Sequence, residues 1–167
     1  MADFDPVEIL RALVAHEVEF VVIGGLAAVL RGTPLVTRDV DITPSTLGGN
    51  MDRLAKALEH LDAKLRTEKE PAGVSIPFDP GLLRSARIWT LTTKHGNLDL
   101  VMDPAGTEGY RDLIRDSAPL TIARRPDLVI AVASLADVIR SKEATGREKD
   151  RAALPLLRRT LEEAAGP

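Results

Sequence analysis

The chain has 167 residues, of which 44% are hydrophobic and 28% charged, a balance typical of one soluble globular domain. It contains no cysteine, which excludes disulfide scaffolds, thiol catalysis and cysteine-based metal clusters. A net charge of -3 argues against a chain-wide basic surface for duplex DNA and leaves only a local basic patch for a polyanionic partner.

Hydrophobic periodicity and the placement of glycine and proline predict mixed helices and strands followed by a helical C-terminal third. The predicted helices cover residues 6–16, 26–30, 50–61, 110–115, 134–144 and 147–163. The predicted strands cover residues 20–23, 38–43, 88–93, 98–102, 120–123 and 128–132. A segment rich in proline and glycine, 67–85, is predicted to be a surface loop with one helical turn. This order favours an α+β or α/β core over residues 1–132, with a helical segment over 133–167 packed on it as one compact unit.

An acid–apolar–acid pattern lies in the second predicted strand. Because alternate residues of a strand share a face, Asp39 and Asp41 are predicted to point away from the core. Two carboxylates about 4 Å apart repel by roughly 4 kcal/mol at an effective dielectric constant of about 20. Asp99 repeats the pattern on a later strand, so three acids meet if the two strands are neighbours. Such oxygen ligands suit Mg²⁺ or Mn²⁺, and the alternative is the solvent-exposed face of an amphipathic strand.

Two glycines, Gly24 and Gly25, lie between the first predicted strand and the next helix. Glycine lets a backbone approach a bulky anion, and a helix N-terminus offers free N–H groups to a phosphate. The sequence matches neither a Walker A loop nor a GxGxxG motif, so a plain tight turn is the alternative. The interval from Gly25 to Asp39 allows one helix and a return strand, which would place glycines and carboxylates across one cleft.

Basic residues outnumber acidic ones between residues 121 and 159, which could create a local site for a triphosphate or another polyanion. Lys142 falls near the edge of the core-facing side of its predicted helix, where the stem can pack while the ammonium group reaches a cleft. The alternative is that these groups form the mixed-charge outer faces of two amphipathic helices.

In combination, these features resemble the nucleotidyltransferase fold of the DNA polymerase β superfamily. The core match consists of Gly24, Gly25, Asp39, Asp41 and Asp99. Three longer segments, GTPLVTRDVDI (32–42), LTTKHGNLDLV (91–101) and ASLADVIRSKEATGREKD (133–150), resemble small bacterial nucleotidyltransferases related to AbiEii-type toxins. The resemblance covers about residues 18–157 and implies an α+β fold, a mixed sheet flanked by helices with a short helical C-terminal lobe.

The resemblance also implies roles for the matched residues. Asp39, Asp41 and Asp99 would bind Mg²⁺ or Mn²⁺, and Asp99 would also help to activate the attacking hydroxyl. Lys142 would act as a catalytic cation. Contact with the nucleoside triphosphate is predicted for Gly24, Gly25, Arg38, Lys142, Arg147, Lys149 and Asp150. A shifted hairpin register would present Asp103 instead of Asp99, but Asp103-Pro104 is typical of the turn after a strand.

The implied function is transfer of a nucleoside monophosphate from a triphosphate to an acceptor hydroxyl, with release of pyrophosphate. The favoured acceptor is tRNA, another RNA or a protein, in a toxin-like role with a cognate antitoxin as a further partner. A small acceptor such as an antibiotic is one alternative, and a non-catalytic nucleotide-binding or antitoxin-like module is another. No signal-like segment or bilayer-length apolar run is found, which predicts a cytoplasmic protein with no membrane partner.

The three histidines, His16, His60 and His95, are far apart in the sequence and lack HExxH-like spacing. The first two fall at predicted helix ends and the third in a predicted hairpin turn, all ordinary positions for histidine. The sequence therefore offers little for a zinc hydrolase.

Overall fold

The computed structural model describes residues 3–167. Seven α-helices are found in this range: α1 (Pro6–Ala15), α2 (Gly24–Leu30), α3 (Asn50–His60), α4 (Pro80–Arg84), α5 (Tyr110–Leu113), α6 (Leu135–Thr145) and α7 (Glu148–Ala165). The same range contains seven strands: β1 (Phe20–Ile23), β2 (Asp39–Pro44), β3 (Lys64–Leu65), β4 (Ile88–Thr93), β5 (Gly96–Val101), β6 (Ala118–Thr121) and β7 (Val129–Val132).

The strands form one mixed sheet in the order β3-β4-β5-β2-β1-β7-β6. At its centre, β2 is antiparallel to β1 and parallel to β5. The strand β1 is also parallel to β7, while β4 and β5 form the antiparallel hairpin expected from the sequence. Helices and strands of both orientations confirm the predicted α+β class.

Hydrophobic patterning explains which elements lie at the centre. All four residues of β1 are buried, as expected for a short β-branched run. In β2 and β5 the alternate residues Val40, Ile42, Leu98 and Leu100 are fully buried, which leaves the intervening residues of both strands on the other face. The same hydrophobic cluster includes residues of α6 and α7, so these two helices pack on the sheet-bearing part of the chain.

Helix ends follow the predicted signals closely. The Asp5 carboxylate accepts hydrogen bonds from the backbone N–H groups of Val7 and Glu8, with Pro6 in the first turn of α1. Ser134 caps α6 by accepting from Asp137 N–H, and Gly146 ends that helix in a left-handed conformation. Among residues 3–167, no helix has both the length and the apolar character of a membrane-crossing segment.

Three details differ from the sequence prediction. The strand β3 lies between the predicted helix 50–61 and the predicted loop 67–85, where the sequence predicts no element, because two residues are too short to show a period. The predicted strand 120–123 is found at Ala118–Thr121, where its register is fixed by pairing with β7. The helix α2 begins at Gly24 rather than at Leu26, so both glycines lie inside its first turn.

Candidate active site

The sheet brings the three predicted metal-binding aspartates onto neighbouring strands. In the parallel pairing of β2 with β5, Asp41 is the direct partner of Asp99, and Asp39 is the partner of Asn97. All three aspartates lie on the face opposite the buried side chains of these strands. Asp103, the alternative third acid, lies beyond the end of β5 and forms an ion pair with Arg87. The predicted register is therefore correct.

Asp41 is the aspartate of this cluster whose charged form is most disfavoured by its surroundings. Burial, followed by the charges of Asp99 and Asp39, raises the pKa of this carboxyl from 3.8 to about 6. Lys142 and Lys149 oppose the shift through their positive charges. The lysines of the C-terminal helices therefore act on the carboxylates of the sheet.

Asp99 experiences similar forces but has one close cationic partner. Burial raises the pKa of its carboxyl, and the guanidinium of Arg66 partly opposes this shift. The distance from Arg66 Nη2 to Asp99 Oδ1 is 3.4 Å, and both side chains are partly buried. Arg66 therefore holds the acid that is predicted to face the attacking hydroxyl.

Gly24 lies directly against the Asp41 carboxylate. Its φ of +65° is in the left-handed region, and a Cβ at this position would lie 2.6 Å from Asp41 Oδ2. Only glycine satisfies both constraints. At Gly25, a Cβ would lie 3.1 Å from Thr37 Oγ1, a tight contact with the segment that leads into β2. The predicted phosphate-binding turn and the predicted metal ligands are thus adjacent.

The C-terminal helices position Lys142 through a buried acid. Asp150, which is 1% exposed, accepts from Lys142 Nζ at 3.2 Å and from Arg147 Nε at 2.7 Å. Burial would raise the pKa of Asp150, but the hydrogen bonds and charges of Arg147 and Lys142 together lower it. The carboxylate of Asp150 is therefore occupied by protein cations, and a direct contact of this residue with nucleotide stays a prediction.

The remaining predicted nucleotide ligands lie nearer the surface. Arg38 lies one residue before β2, and Lys149 lies in the first turn of α7. Arg147 is largely exposed, although its guanidinium is bonded to Asp150. Contact of these three residues with a triphosphate stays a prediction.

The donor set suits a hard divalent cation by its chemistry. Carboxylate oxygens are the ligands that Mg²⁺ and Mn²⁺ prefer, and an ion would relieve the repulsion that raises the pKa of Asp41. Within residues 3–167, however, no group of three or more His, Asp or Glu side chains is arranged as an assembled metal site. The three aspartates are neighbours, and binding of an ion would have to draw their oxygens together.

Sequence reasoning did not identify two contacts of the aspartates. Arg66 follows the two-residue strand β3, and nothing in its local pattern places it next to Asp99, 33 positions away. Asn97 Nδ2 donates to Asp39 Oδ1 at 3.4 Å. The β2–β5 register indicates the contact between Asn97 and Asp39, because these two residues are direct partners in the pairing and lie on the same face as Asp99.

Two concavities lie away from the aspartates. One, of about 270 Å³, lies between α1, β1, α5 and β7 and is lined by residues including Glu19, Phe20 and Tyr110. The other, of about 210 Å³, is lined by residues of α1 together with His60, Leu61 and His95. Neither contains a residue of the predicted site, so it is the chemistry of the aspartates, and not a surface cavity, that marks them as a candidate site.

Comparison with known proteins gives the fold a precedent. A lincosamide antibiotic adenylyltransferase, LnuA, solved with lincomycin bound, matches with a TM-score of 0.60 and 17% identity over 93% of this chain and 98% of its own. The solution structure of the antibiotic-resistance factor ANT(2'')-Ia matches with a TM-score of 0.56 and 15% identity, over 92% of this chain and 80% of its own. Its crystal structure with adenylyl-2''-tobramycin gives the same score and identity, with 85% of that chain covered.

No family model and no curated protein sequence matches this chain. The structural matches confirm the predicted fold: the chain has the mixed α+β fold of these nucleotidyltransferases.

Proposed function

We propose that this protein is a metal-dependent nucleotidyltransferase that transfers a nucleoside monophosphate from a triphosphate to an acceptor hydroxyl and releases pyrophosphate. The observation that carries the proposal is the pairing of Asp41 with Asp99 on adjacent strands, beside Asp39 and against Gly24. Carboxylates that repel one another while partly buried lower the stability of the fold. A reaction that depends on a cation gives a reason for retaining them.

The metal would be held by Asp39, Asp41 and Asp99. Bound there, Mg²⁺ or Mn²⁺ would neutralise charge on the phosphates and on the attacking and leaving oxygens. This assignment is supported by the chemistry of the carboxylates and by the raised pKa of Asp41.

The chain's own groups would then orient and neutralise the reactants. The turn at Gly24 and Gly25 would receive the phosphates, because glycine lets the backbone approach them beside Asp41. Lys142, held by Asp150, would stabilise the charge that develops on the departing pyrophosphate. Asp99 would accept the proton of the acceptor hydroxyl, a role that a raised carboxyl pKa favours.

A small-molecule acceptor is the candidate that the comparisons favour. LnuA is, by name, a lincosamide adenylyltransferase, and this chain covers 98% of it. A chain of this size is therefore sufficient for a transferase that modifies an antibiotic. The sequence resemblance to AbiEii-type proteins favours instead a tRNA, RNA or protein acceptor in the cytoplasm, paired with an antitoxin.

One experiment tests the reaction and separates the acceptors. The protein is incubated with Mg²⁺ and each α-³²P-labelled triphosphate, in turn with total RNA, with a lysate and with a panel of lincosamides and aminoglycosides. We expect label in one acceptor class, and loss of transfer with EDTA, with Asp39→Asn and with Asp41→Asn. Asp103→Asn is the matched control, because this acid lies outside the cluster.

Triphosphate binding without incorporation into any acceptor would support the non-catalytic binding module. Full transfer by both Asp39→Asn and Asp41→Asn would remove the assignment of the site.

A further inference from the structure

The fold brings two histidines into contact although 44 positions separate them in the chain. His16 Nε2 and His60 Nδ1 are 3.3 Å apart, in a solvent-exposed contact. The two rings are nearly perpendicular, at 86°, with centroids 5.4 Å apart. The proposed transfer reaction uses neither residue, so their juxtaposition needs a separate explanation.

The separation of the two nitrogens matches a metal chelate better than a strong hydrogen bond. Hydrogen bonds with an N–H donor usually span about 2.7–3.2 Å, so 3.3 Å is just beyond this range. On a tetrahedral ion with metal–nitrogen bonds of about 2.0–2.1 Å, two nitrogen ligands lie about 3.3 Å apart. The side chains therefore already have the spacing that a shared ion requires.

The backbone around the pair also favours a cation. His16 is the C-terminal cap of α1, and His60 is the last residue of α3. The C-terminal end of a helix carries a partial negative charge. Two such ends meet at this pair, and α1 and α3 pack against each other.

We propose that His16 and His60 form a surface binding site for a borderline divalent cation of the Zn²⁺ class, with His16 Nε2 and His60 Nδ1 as the protein ligands. Because no group of three or more His, Asp or Glu side chains in the described range forms a metal site, water completes the coordination. Imidazole nitrogen suits Zn²⁺, Ni²⁺ and Cu²⁺, whereas Mg²⁺ prefers oxygen, so this site and the aspartates select different ions.

Binding requires that both facing nitrogens present a lone pair. In the neutral pair, one of them carries the proton of the hydrogen bond. That proton moves through solvent to the other nitrogen of the same ring, and both imidazoles stay neutral. The ion then connects the end of α1 to the end of α3. The site is independent of the proposed transferase activity.

Zinc titration of the whole protein tests the site. ZnCl₂ is titrated by calorimetry in the presence of excess MgCl₂, and ¹H–¹⁵N spectra of the histidine rings are recorded in parallel. We expect one Zn²⁺ per chain, with shifts of the His16 Nε2 and His60 Nδ1 resonances. The substitutions His16→Gln and His60→Gln should each weaken binding by at least about tenfold. His95→Gln is the matched control and should keep the affinity, and so should Asp41→Asn.

The proposal is overturned if Zn²⁺ leaves both ring resonances in place, or if affinity is unchanged in both His16→Gln and His60→Gln. Equal loss in His95→Gln would also overturn it, because the ligands would then be different. Circular dichroism of each variant establishes that it is folded, which is expected because the contact is exposed.

Discussion

Asp41 is the residue at which the candidate site opposes the stability of the fold most directly. Burial, with Asp99 and Asp39 nearby, raises its pKa from 3.8 to about 6. Near neutral pH the carboxylate is therefore ionised in an environment that favours its protonated form. A bound cation would remove this conflict, and so would an uncharged side chain.

This conflict predicts that Asp41→Asn stabilises the metal-free protein in a pH-dependent way. Because the folded pKa is the higher one, the penalty is absent below about pH 4, grows as pH rises, and is complete above about pH 6. At neutral pH we expect a gain in the free energy of unfolding of roughly 2–3 kcal/mol. Urea unfolding in EDTA across this range measures it, with Asp103→Asn as control. A difference that does not change with pH would contradict the titration argument.

Gly24 offers a second prediction, because two separate constraints act on it. Gly24→Ala should cost about 1–2 kcal/mol for the left-handed backbone and push the Asp41 carboxylate away from the added Cβ. Gly48→Ala is the matched control, because Gly48 has a φ of +57° but a Cβ added there would meet no atom within 4 Å. We expect a loss of stability in both variants, larger in Gly24→Ala because only there does the added Cβ displace a side chain, and a loss of transfer in Gly24→Ala alone. Equal transfer activity in the two variants would show that the close contact of residue 24 with Asp41 does not matter for the reaction.

The helices α6 and α7 are the elements that carry the site's lysines, and Asp150 joins them. It lies in the first turn of α7 and accepts from Lys142 of α6. The helix α6 also packs against α2, which begins at Gly24. The position of Lys142 relative to Asp41 therefore depends on how these helices pack.

Asp150→Asn should destabilise the protein by about 1.5–3 kcal/mol at neutral pH, because it removes charged hydrogen-bond acceptors from Lys142 and Arg147. The pKa of Asp150 is lowered, so its contribution is present above about pH 4 and is lost as pH falls, the opposite of Asp41. Urea unfolding at several pH values tests this. Glu143→Gln, in an exposed pair with Arg158, should cost less than about 1 kcal/mol. If the two substitutions lower the free energy of unfolding equally, Asp150 does not anchor Lys142 and Arg147 as argued.

At the level of elements, the sequence predicts what strong local signals specify. The four apolar residues of β1, the alternation in β2 and β5 and the caps of α1 and α6 all agree with the structure. These signals also place Asp39, Asp41 and Asp99 on outward faces, which is most of the candidate site.

Contacts between distant segments lie beyond the reach of local patterns. The approach of Arg66 to Asp99 follows from the pairing of a two-residue strand, and the contact of His16 with His60 follows from how two helix ends meet. Neither can be read from periodicity, because each depends on tertiary packing.

Across the whole molecule, the acidic net charge and the local arrangement of lysines have opposite consequences. A net charge of -3 disfavours long polyanions, while Lys142 and Lys149 create a local positive field beside Asp41. A compact triphosphate can use this field without meeting the rest of the acidic surface. The charge distribution thus suits a nucleotide more readily than an extended nucleic acid.

This distribution predicts that Mg²⁺ and triphosphate stabilise the protein together. Ligands that bind only the folded chain add about 2.7 kcal/mol at a hundred times their Kd, which corresponds to a rise in Tm of roughly 5–10 °C for a chain of this size. Because the phosphates and carboxylates repel without a cation, triphosphate in EDTA should give a much smaller shift. Asp41→Asn should lose most of the joint shift although it starts from a more stable fold, and His16→Gln should keep it. Melting curves for the three proteins with Mg²⁺, triphosphate and both decide the matter, since an undiminished joint shift in Asp41→Asn would place the nucleotide and its ion elsewhere on the molecule.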